Sequence, residues 1–237
     1  MKIAILGYGK MGKVIEEIAI QRGHSIALKI NQTNLDFDLE LLRNCDVAIE
    51  FSSPESAIGN INKCFDANIP VVVGTTGWYA EFNAVQERCI SENKGLLYAT
   101  NFSVGVNIFY EINKKLATLM DANSQYDVEV EETHHTQKLD APSGTAISIA
   151  EGIIDNLDRK DSWKNDMIVS ENELAIESIR TEDVPGTHVV KYESDIDVVE
   201  IKHEAKNRNG FAYGAVLAAE YIHDKNGVFT MKDVLSV

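Results

Sequence analysis

The chain opens with an unbroken apolar run, Ile3 to Leu6. Gly7-Tyr8-Gly9-Lys10-Met11-Gly12 follows, and then a stretch in which Met11, Val14, Ile15, Ile18 and Ala19 recur at helical spacing. A short apolar run bounded by glycine predicts a buried strand, and three-to-four spacing predicts an amphipathic helix. The alternation continues with a strand over Ser25 to Ile30, a short helix-like stretch around Asp38 to Arg43, and a strand over Asp46 to Phe51 ending at Ser52-Ser53-Pro54. Pro54 suits the first turn of a helix carrying Ala57, Ile58, Ile61 and Phe65, because a missing N–H costs nothing there. The apolar strand Val71 to Val73 is closed by Gly74-Thr75-Thr76-Gly77, and a helix over Phe82 to Ile90 and a strand near Leu96 to Ala99 complete the series. Continuous apolar strands alternating with helices predict a parallel sheet covered on both faces.

The pattern changes after Ser103. Val106, Phe109, Ile112, Leu116 and Leu119 mark a long amphipathic helix, and strands then dominate to about residue 204. Tyr126, Val128 and Val130 alternate as a strand with one apolar face, and the runs Glu173 to Thr181, Thr187 to Glu193 and Ile196 to His203 are joined by short connections that suit a mixed or antiparallel sheet. The face carrying Val199 and Ile201 is expected to cover the long helix or a partner subunit, and the polar segment Asp155 to Asp166 reads as a surface loop. Phe211 to Tyr221 is helical and rich in small residues. The fold class predicted is α/β, a Rossmann-type parallel-sheet domain plus an α+β domain with a mixed or antiparallel sheet. The first domain takes residues 1–102 and, by the return of the last helix, 212–237; the second takes 103–211.

Composition bounds the function. A chain of 237 residues, 44% apolar, has room for a cofactor lobe and a substrate lobe. Its formal charge of −15 and lack of a long basic run argue against nucleic acid or an anionic membrane as partner. An anionic ligand must then be held by local donors. Cys45, Cys64 and Cys89 show no paired spacing and read as small core residues. With no leader of charged, apolar and then small residues, and no apolar stretch long enough to cross a bilayer, the expected location is the cytoplasm.

The candidate chemistry sits at turns. Gly7, Tyr8, Gly9, Lys10, Met11 and Gly12 lie between a strand and a helix, where glycine allows a tight turn and close backbone approach to a pyrophosphate held at the helix N-terminus. The acidic residue expected to bind the ribose hydroxyls after the second strand is missing, and Asn31 stands there with Lys29 two residues earlier. NADH and NADPH both remain open as cofactor. Ligands of an open parallel sheet sit beyond the carboxyl ends of its strands, so Gly74, Thr75 and Thr76, and Ala99, Thr100, Asn101 and Phe102, are further candidates; each loop also reads as a plain connection.

The densest chemistry is His134-His135-Thr136-Gln137-Lys138-Leu139-Asp140-Ala141-Pro142-Ser143-Gly144-Thr145, on a strand-to-helix loop with Ser143 as helix cap. Such a junction offers backbone N–H groups for a carboxylate and a rigid strand end for a proton donor. A helix-capping turn with solvated histidines fits the same residues. Asp140 is expected to orient Lys138 or the loop. His24, His188, His203 and His223 sit in no motif with a chemical partner and read as structural or exposed. Adjacent His134 and His135 point to opposite faces if the strand continues, and with no HExxH or paired cysteines no metal site is expected.

These residues resemble the 4-hydroxy-tetrahydrodipicolinate (dihydrodipicolinate) reductase family of the diaminopimelate and lysine pathway. The likeness runs through the glycine turn, Gly74 to Gly77, Asn101 to Asn107, Glu132 to Ala146 and Phe211 to Ala215, and the HHxxKxDAPSGTA segment is specific to that family. It implies hydride transfer from NADH or NADPH onto C4 of a cyclic unsaturated dicarboxylate, followed by protonation at C3. His134 is implied as acid/base and Lys138 as proton donor. His135, Gly144 and Thr145 are implied as substrate-binding positions, with Ser143 at the same helix start, and the three glycine and strand-end loops as cofactor positions. A homotetramer formed through the second-domain sheet is also implied. Thr187 stands where a glutamate is common in that family. Two other readings keep the glycine turn: another Rossmann dehydrogenase acting on an amino acid or aldehyde, and a non-catalytic NAD(H)-binding sensor.

Overall fold

A computed structural model describes residues 1–31, 37–207 and 209–237. The chain divides into two compact units, residues 1–104 with 209–237, and residues 105–208.

In the first unit, β1 (Lys2–Leu6), α1 (Lys10–Gln21), β2 (Ser25–Ile30), α2 (Leu39–Arg43), β3 (Val47–Glu50), α3 (Pro54–Asp66), β4 (Val71–Val73), α4 (Phe82–Ser91) and β5 (Gly95–Tyr98) follow in order. With β11 (Gly227–Phe229) included, the sheet order is β11-β5-β4-β3-β1-β2, and every pairing is parallel. The added edge strand β11 comes from the C-terminal segment, which also supplies α7 (Asn209–Ile222) and α8 (Met231–Leu235). Alternate strand residues sort onto two faces. Ala4, Leu6, Ala48, Val71, Val73 and Leu96 pack with Ala57, Ile61 and Phe65 of α3, while Ile3, Ile5, Val47, Ile49, Val72 and Leu97 pack with α1 and α7. Burial on both faces is why these strands are apolar without alternation. α7 lies close enough that a Cβ on Gly214 would meet the Phe102 carbonyl oxygen at 1.7 Å.

The second unit is built from α5 (Val104–Asp121), β6 (Asp127–His134), α6 (Gly144–Ile154), β7 (Ser162–Lys164), β8 (Glu173–Arg180), β9 (Thr187–Glu193) and β10 (Val198–Glu204). Its sheet order is β10-β9-β6-β8-β7; β6 pairs parallel with β8 and antiparallel with β9, so the sheet is mixed. One face packs Val128, Val130, Leu174, Ile176, Val190 and Tyr192 against Phe109, Ala117 and Met120 of α5 and Ile149, Ala150 and Ile153 of α6, with Val199 and Ile201 at its margin. The segment expected to be a loop over Asp155 to Asp166 contains β7, a correction to that reading. Its three residues hold their shape by parallel pairing with β8, a long-range contact that Ser-Trp-Lys does not announce.

Candidate functional site

The carboxyl ends of β1, β2 and β3 meet where the strand order reverses, the usual ligand position in a doubly wound sheet. A cavity of about 470 Å³ opens there, lined by Gly7, Tyr8, Gly9, Ile30 and Asn31 together with Phe51, Ser52, Ser53, Ser56 and Asn60. Gly7 has φ +105°, and a Cβ on it would lie 2.0 Å from the Phe51 carbonyl oxygen. Its N–H and that of Tyr8 both donate to the Ile30 carbonyl, at 2.9 and 2.7 Å, which ties the turn to the end of β2. Gly12 also packs closely, a Cβ there meeting the Gly7 carbonyl oxygen at 2.5 Å. Gly9, by contrast, caps α1 without a side-chain bond and faces open space. The turn is thus rigid behind and clear in front, a cradle for an anion at a helix start.

Around this cradle Lys10 and Asn31 are exposed and Met11 packs into the core. Lys29 Nζ donates to Glu16 Oε1 at 2.9 Å and lies 4.8 Å from the centre of the Tyr8 ring, while the Tyr8 hydroxyl donates to Glu16. The lysine charge beside Asn31 is therefore already paired.

The other two candidate loops lie at the same sheet edge, outside the cavity lining. Thr75 is buried and its hydroxyl oxygen accepts the Ser52 N–H at 2.8 Å, while Thr76 and Thr100 are exposed. Asn101 Oδ1 accepts the Ser103 N–H, and Phe102 is core, its ring 5.6 Å from that of Phe51. Gly74 leaves space for the Phe51 ring, which a Cβ would approach to 2.1 Å. The Ser52-to-Asn60 wall went unnoticed in the sequence, although the same strand-end rule applies to β3. Glu50 also went unnoticed. It is fully buried at the end of β3, where burial pushes its carboxyl pKa up against hydrogen bonds from Ser52 and Asn60. A charged residue closing Val47-Ala48-Ile49-Glu50 was the available signal.

The second unit assembles the His134-to-Thr145 segment around another buried acid. Inward positions of β6 are Val128, Val130, Glu132 and His134. The cross-strand register sets Glu132 between Ser178 and His188, and His134 beside Arg180. Glu132 accepts the Ser143 N–H at 3.1 Å on both oxygens, the Ser178 hydroxyl at 2.9 Å and Arg180 Nη2 at 3.0 Å. Burial alone would raise its pKa, but His134, Ser143, Arg180 and Ser178 outweigh burial and hold it well below the usual carboxylate range. His134 Nδ1 stands 3.2 Å from Glu132 Oε2, misaligned for a hydrogen bond. His188 Nε2 lies 3.8 Å from the same oxygen and 3.3 Å from Ser143 Oγ. Burial, then the nearby His134, pushes the His188 pKa down to about 3. A carboxylate oxygen of Glu132 and one ring nitrogen each of His134 and His188 lie within 4.8 Å of one another, a metal-like grouping. Here both carboxylate oxygens already accept from the Ser143 N–H, and Oε1 also accepts from Ser178 and Arg180, while neither imidazole is hydrogen-bonded to them.

Lys138 Nζ donates to both Asp140 oxygens, at 2.9 and 2.8 Å, and this bond lowers the Asp140 pKa against the opposing effect of burial. Arg180 also donates to the Asp140 carbonyl at 2.7 Å. Ser143 is buried and caps α6 by accepting the Ala146 N–H at 3.1 Å. Gly144 is exposed, with nothing near the position of a Cβ, and Thr145 is half-buried. His135 lines a separate cavity of about 430 Å³ with Thr136, Gln137, Glu182 and Asp183, whose two acids make that hollow a poor seat for an anion. Among the titratable residues read as bland, His188 is the one the fold brings to Glu132. The others stand elsewhere: His24 pairs with Glu220 at 2.7 Å, and His203 lies against Phe109.

Residues 1–102 match the family model described as dihydrodipicolinate reductase, N-terminus, and residues 105–235 match the one described as dihydrodipicolinate reductase, C-terminus. A relative from Christiangramia forsetii named 4-hydroxy-tetrahydrodipicolinate reductase is 51% identical over 236 residues, covering 100% of this chain and 98% of its own. One of the same name from Rickettsia rickettsii is 35% identical, covering 97% and 96%. Among solved structures, a dipicolinate-bound dihydrodipicolinate reductase from Paenisporosarcina sp. TG-14 shares the fold, with TM-score 0.78, 22% identity and 98% of each chain covered. A probable dehydrogenase from Thermotoga maritima has TM-score 0.55 at 10% identity, covering 99% of this chain and 92% of its own.

Proposed function

The chain belongs to the dihydrodipicolinate reductase family, an NAD(P)H-dependent oxidoreductase family, and we propose how its own residues carry the reaction. The observation that carries the reading is one connection, β6 to α6, on which Lys138, His134 and the open start of α6 are presented together.

NADH or NADPH is held by the first unit. The backbone of Gly9, Lys10, Met11 and Gly12 at the start of α1 receives the pyrophosphate, Gly7 and Tyr8 shape the turn, and Asn31 takes the adenosine ribose. Gly74, Thr75 and Thr76, with Ala99, Thr100, Asn101 and Phe102, form the edge toward the nicotinamide end. The rigid glycine turn with open space before Gly9 supports this fit. The bound dihydronicotinamide supplies a hydride to C4 of the unsaturated dicarboxylate ring.

In the second unit, one substrate carboxylate sits at the start of α6 on Gly144 and Thr145, where the helix end favours negative charge. Ser143 keeps that end in place through its cap; His135, in the acidic hollow with Glu182 and Asp183, is not assigned to the carboxylate. The unsaturated ring forms from 4-hydroxy-tetrahydrodipicolinate by loss of water; hydride addition at C4 shifts the C3=C4 pair into an enamine, and its C3 takes a proton from Lys138, a step that general acid catalysis speeds by ~10² to 10⁴-fold. His134 exchanges a proton as acid/base. Asp140 keeps the ammonium in place until substrate arrives.

Three buried free cysteines suit a reducing cytoplasm, and no helix among the described residues is long and apolar enough to cross a membrane. Ile168 and Ile196, 88% and 83% exposed, together with Met167 and Val198, support assembly through the second unit as a homotetramer. Light scattering coupled to size exclusion tests that assembly, and a monomer at micromolar concentration excludes it. The function is tested by mixing the protein with freshly made 4-hydroxy-tetrahydrodipicolinate and following cofactor absorbance. Oxidation of NADH or NADPH that requires the substrate is expected; none with either cofactor refutes the assignment.

A further inference from the structure

Glu132 is buried, yet it is surrounded by donors that keep it charged: two contacts to the Ser143 N–H, the Ser178 hydroxyl and the Arg180 guanidinium. One group near it is unresolved by hydrogen bonding. His134 is more than nine-tenths buried, and its Nδ1 has no aligned partner although Glu132 Oε2 is 3.2 Å away. A neutral imidazole carries one proton, on either nitrogen. Beside a fixed carboxylate the Nδ1–H form is the attractive one, and the lone pair then lies on Nε2. Nε2 lies on the Gly186 side of the ring, where a Cβ would stand 3.0 Å away, so any side chain at that position would crowd this nitrogen. His188, kept neutral by burial, adds no competing cation beside the carboxylate.

We propose that Glu132 is a positioning residue for the reaction: it holds the His134 proton on Nδ1, so that Nε2 is the proton-exchanging atom, and with Arg180 it anchors the loop carrying Lys138. The same carboxylate does both. It fixes the imidazole from one side and the α6 start from the other, through the Ser143 N–H, while Arg180 bridges Glu132 to the Asp140 carbonyl. Proton donor and acid/base are thereby indexed to one buried charge. The kinetic part of this inference rests on the assignment of His134 as acid/base; the tautomer part does not.

The test has two arms. In ¹⁵N-labelled full-length protein, long-range proton–nitrogen correlation reads the His134 tautomer, with His134→Gln identifying its signals. Protonated Nδ1 and bare Nε2 are expected; an Nε2–H tautomer overturns the proposal whether or not any variant folds. In the kinetic arm, Glu132→Gln keeps the shape and removes the charge. Its kcat is expected to fall by at least ~10-fold, within the range seen when a carboxylate that orients an imidazole is removed, with the KM for the nicotinamide cofactor within about twofold of wild type. Glu132→Asp is expected to recover part of the loss by restoring charge. A Glu132→Gln variant with wild-type kcat overturns the positioning role, as does a loss that Glu132→Asp fails to relieve. Absence of turnover in the wild type would instead sink the reductase reading, and the tautomer would still be read.

Discussion

Lys138→Ala separates proton donation from folding, because the structure predicts a large effect on one and almost none on the other. The ammonium is bonded to Asp140, whose side chain is 58% exposed, on a loop at the surface of the second unit. Exposed pairs of this kind contribute about 0–1 kcal/mol, so Tm should move by at most ~4 °C for a chain of this size. If Lys138 supplies the proton to C3, its removal costs the general-acid factor of ~10² to 10⁴ in kcat, or roughly 2.7–5.4 kcal/mol of barrier at 1.36 kcal/mol per decade. Cofactor KM should stay within about twofold, since the loops assigned to NAD(P)H belong to the other unit. Lys138→Arg sharpens the experiment: it retains the charge but does not release a proton in a protein, and should be nearly as slow as Ala. The assay is substrate-dependent NADH oxidation, with stability from a thermal melt. Turnover within threefold of wild type in Lys138→Ala would remove the residue from the chemistry. Recovery of most of the rate by Lys138→Arg would make its role electrostatic.

Three other expectations follow from named contacts. Gly7→Ala places a Cβ 2.0 Å from the Phe51 carbonyl oxygen at a φ of +105°; the backbone penalty alone is ~1–2 kcal/mol, so the melt should fall by more than ~4 °C and cofactor affinity with it, and a variant with wild-type affinity would discount the cradle. Burial holds His188 neutral in the fold with a pKa of about 3, against ~6.5 in the unfolded chain, so the unfolded state binds the extra proton between those values and stability, complete above pH ~6.5, falls as pH drops toward 3. Glu132, lowered in the fold, adds its loss only below the ordinary carboxylate range, and His203, also lowered by burial, shares the upper window. Denaturant titrations at pH 7 and 5 should therefore show a smaller stability difference in His188→Asn than in wild type, and an equal difference in both would refute the reading. Cys45, Cys64 and Cys89 are buried, and burial raises all three thiols, Cys89 to about 11; a thiol reagent should label them only after unfolding, and rapid labelling of the native protein would contradict it.

What the sequence disclosed and what it withheld divide along physical lines. The strand Val71–Val73 and the helix starting at Pro54 were legible because burial on both sheet faces writes an unbroken apolar run, and proline marks a first helical turn. β7 and β11, three residues each, were not, since each exists through pairing with one distant neighbour, β8 or β5, and carries little pattern of its own. The loop from His134 to Thr145 stood out by composition. The acid beneath it did not, although the rule needed was already in use: the period of two that makes Val128 and Val130 inward carries on to Glu132 and His134, and on β9 the inward set His188, Val190 and Tyr192 ends on the imidazole. Reading alternation as a search for apolar residues stops at Val130. Reading it as a statement about direction sends a glutamate and two histidines into the same interior, where burying a charge without partners would cost several kcal/mol. The sequence thus demanded partners for Glu132, and only the register of β6 with β8 names them as Ser178 and Arg180, as the register with β9 sets a neutral His188 alongside, a pairing that one chain's local pattern does not encode.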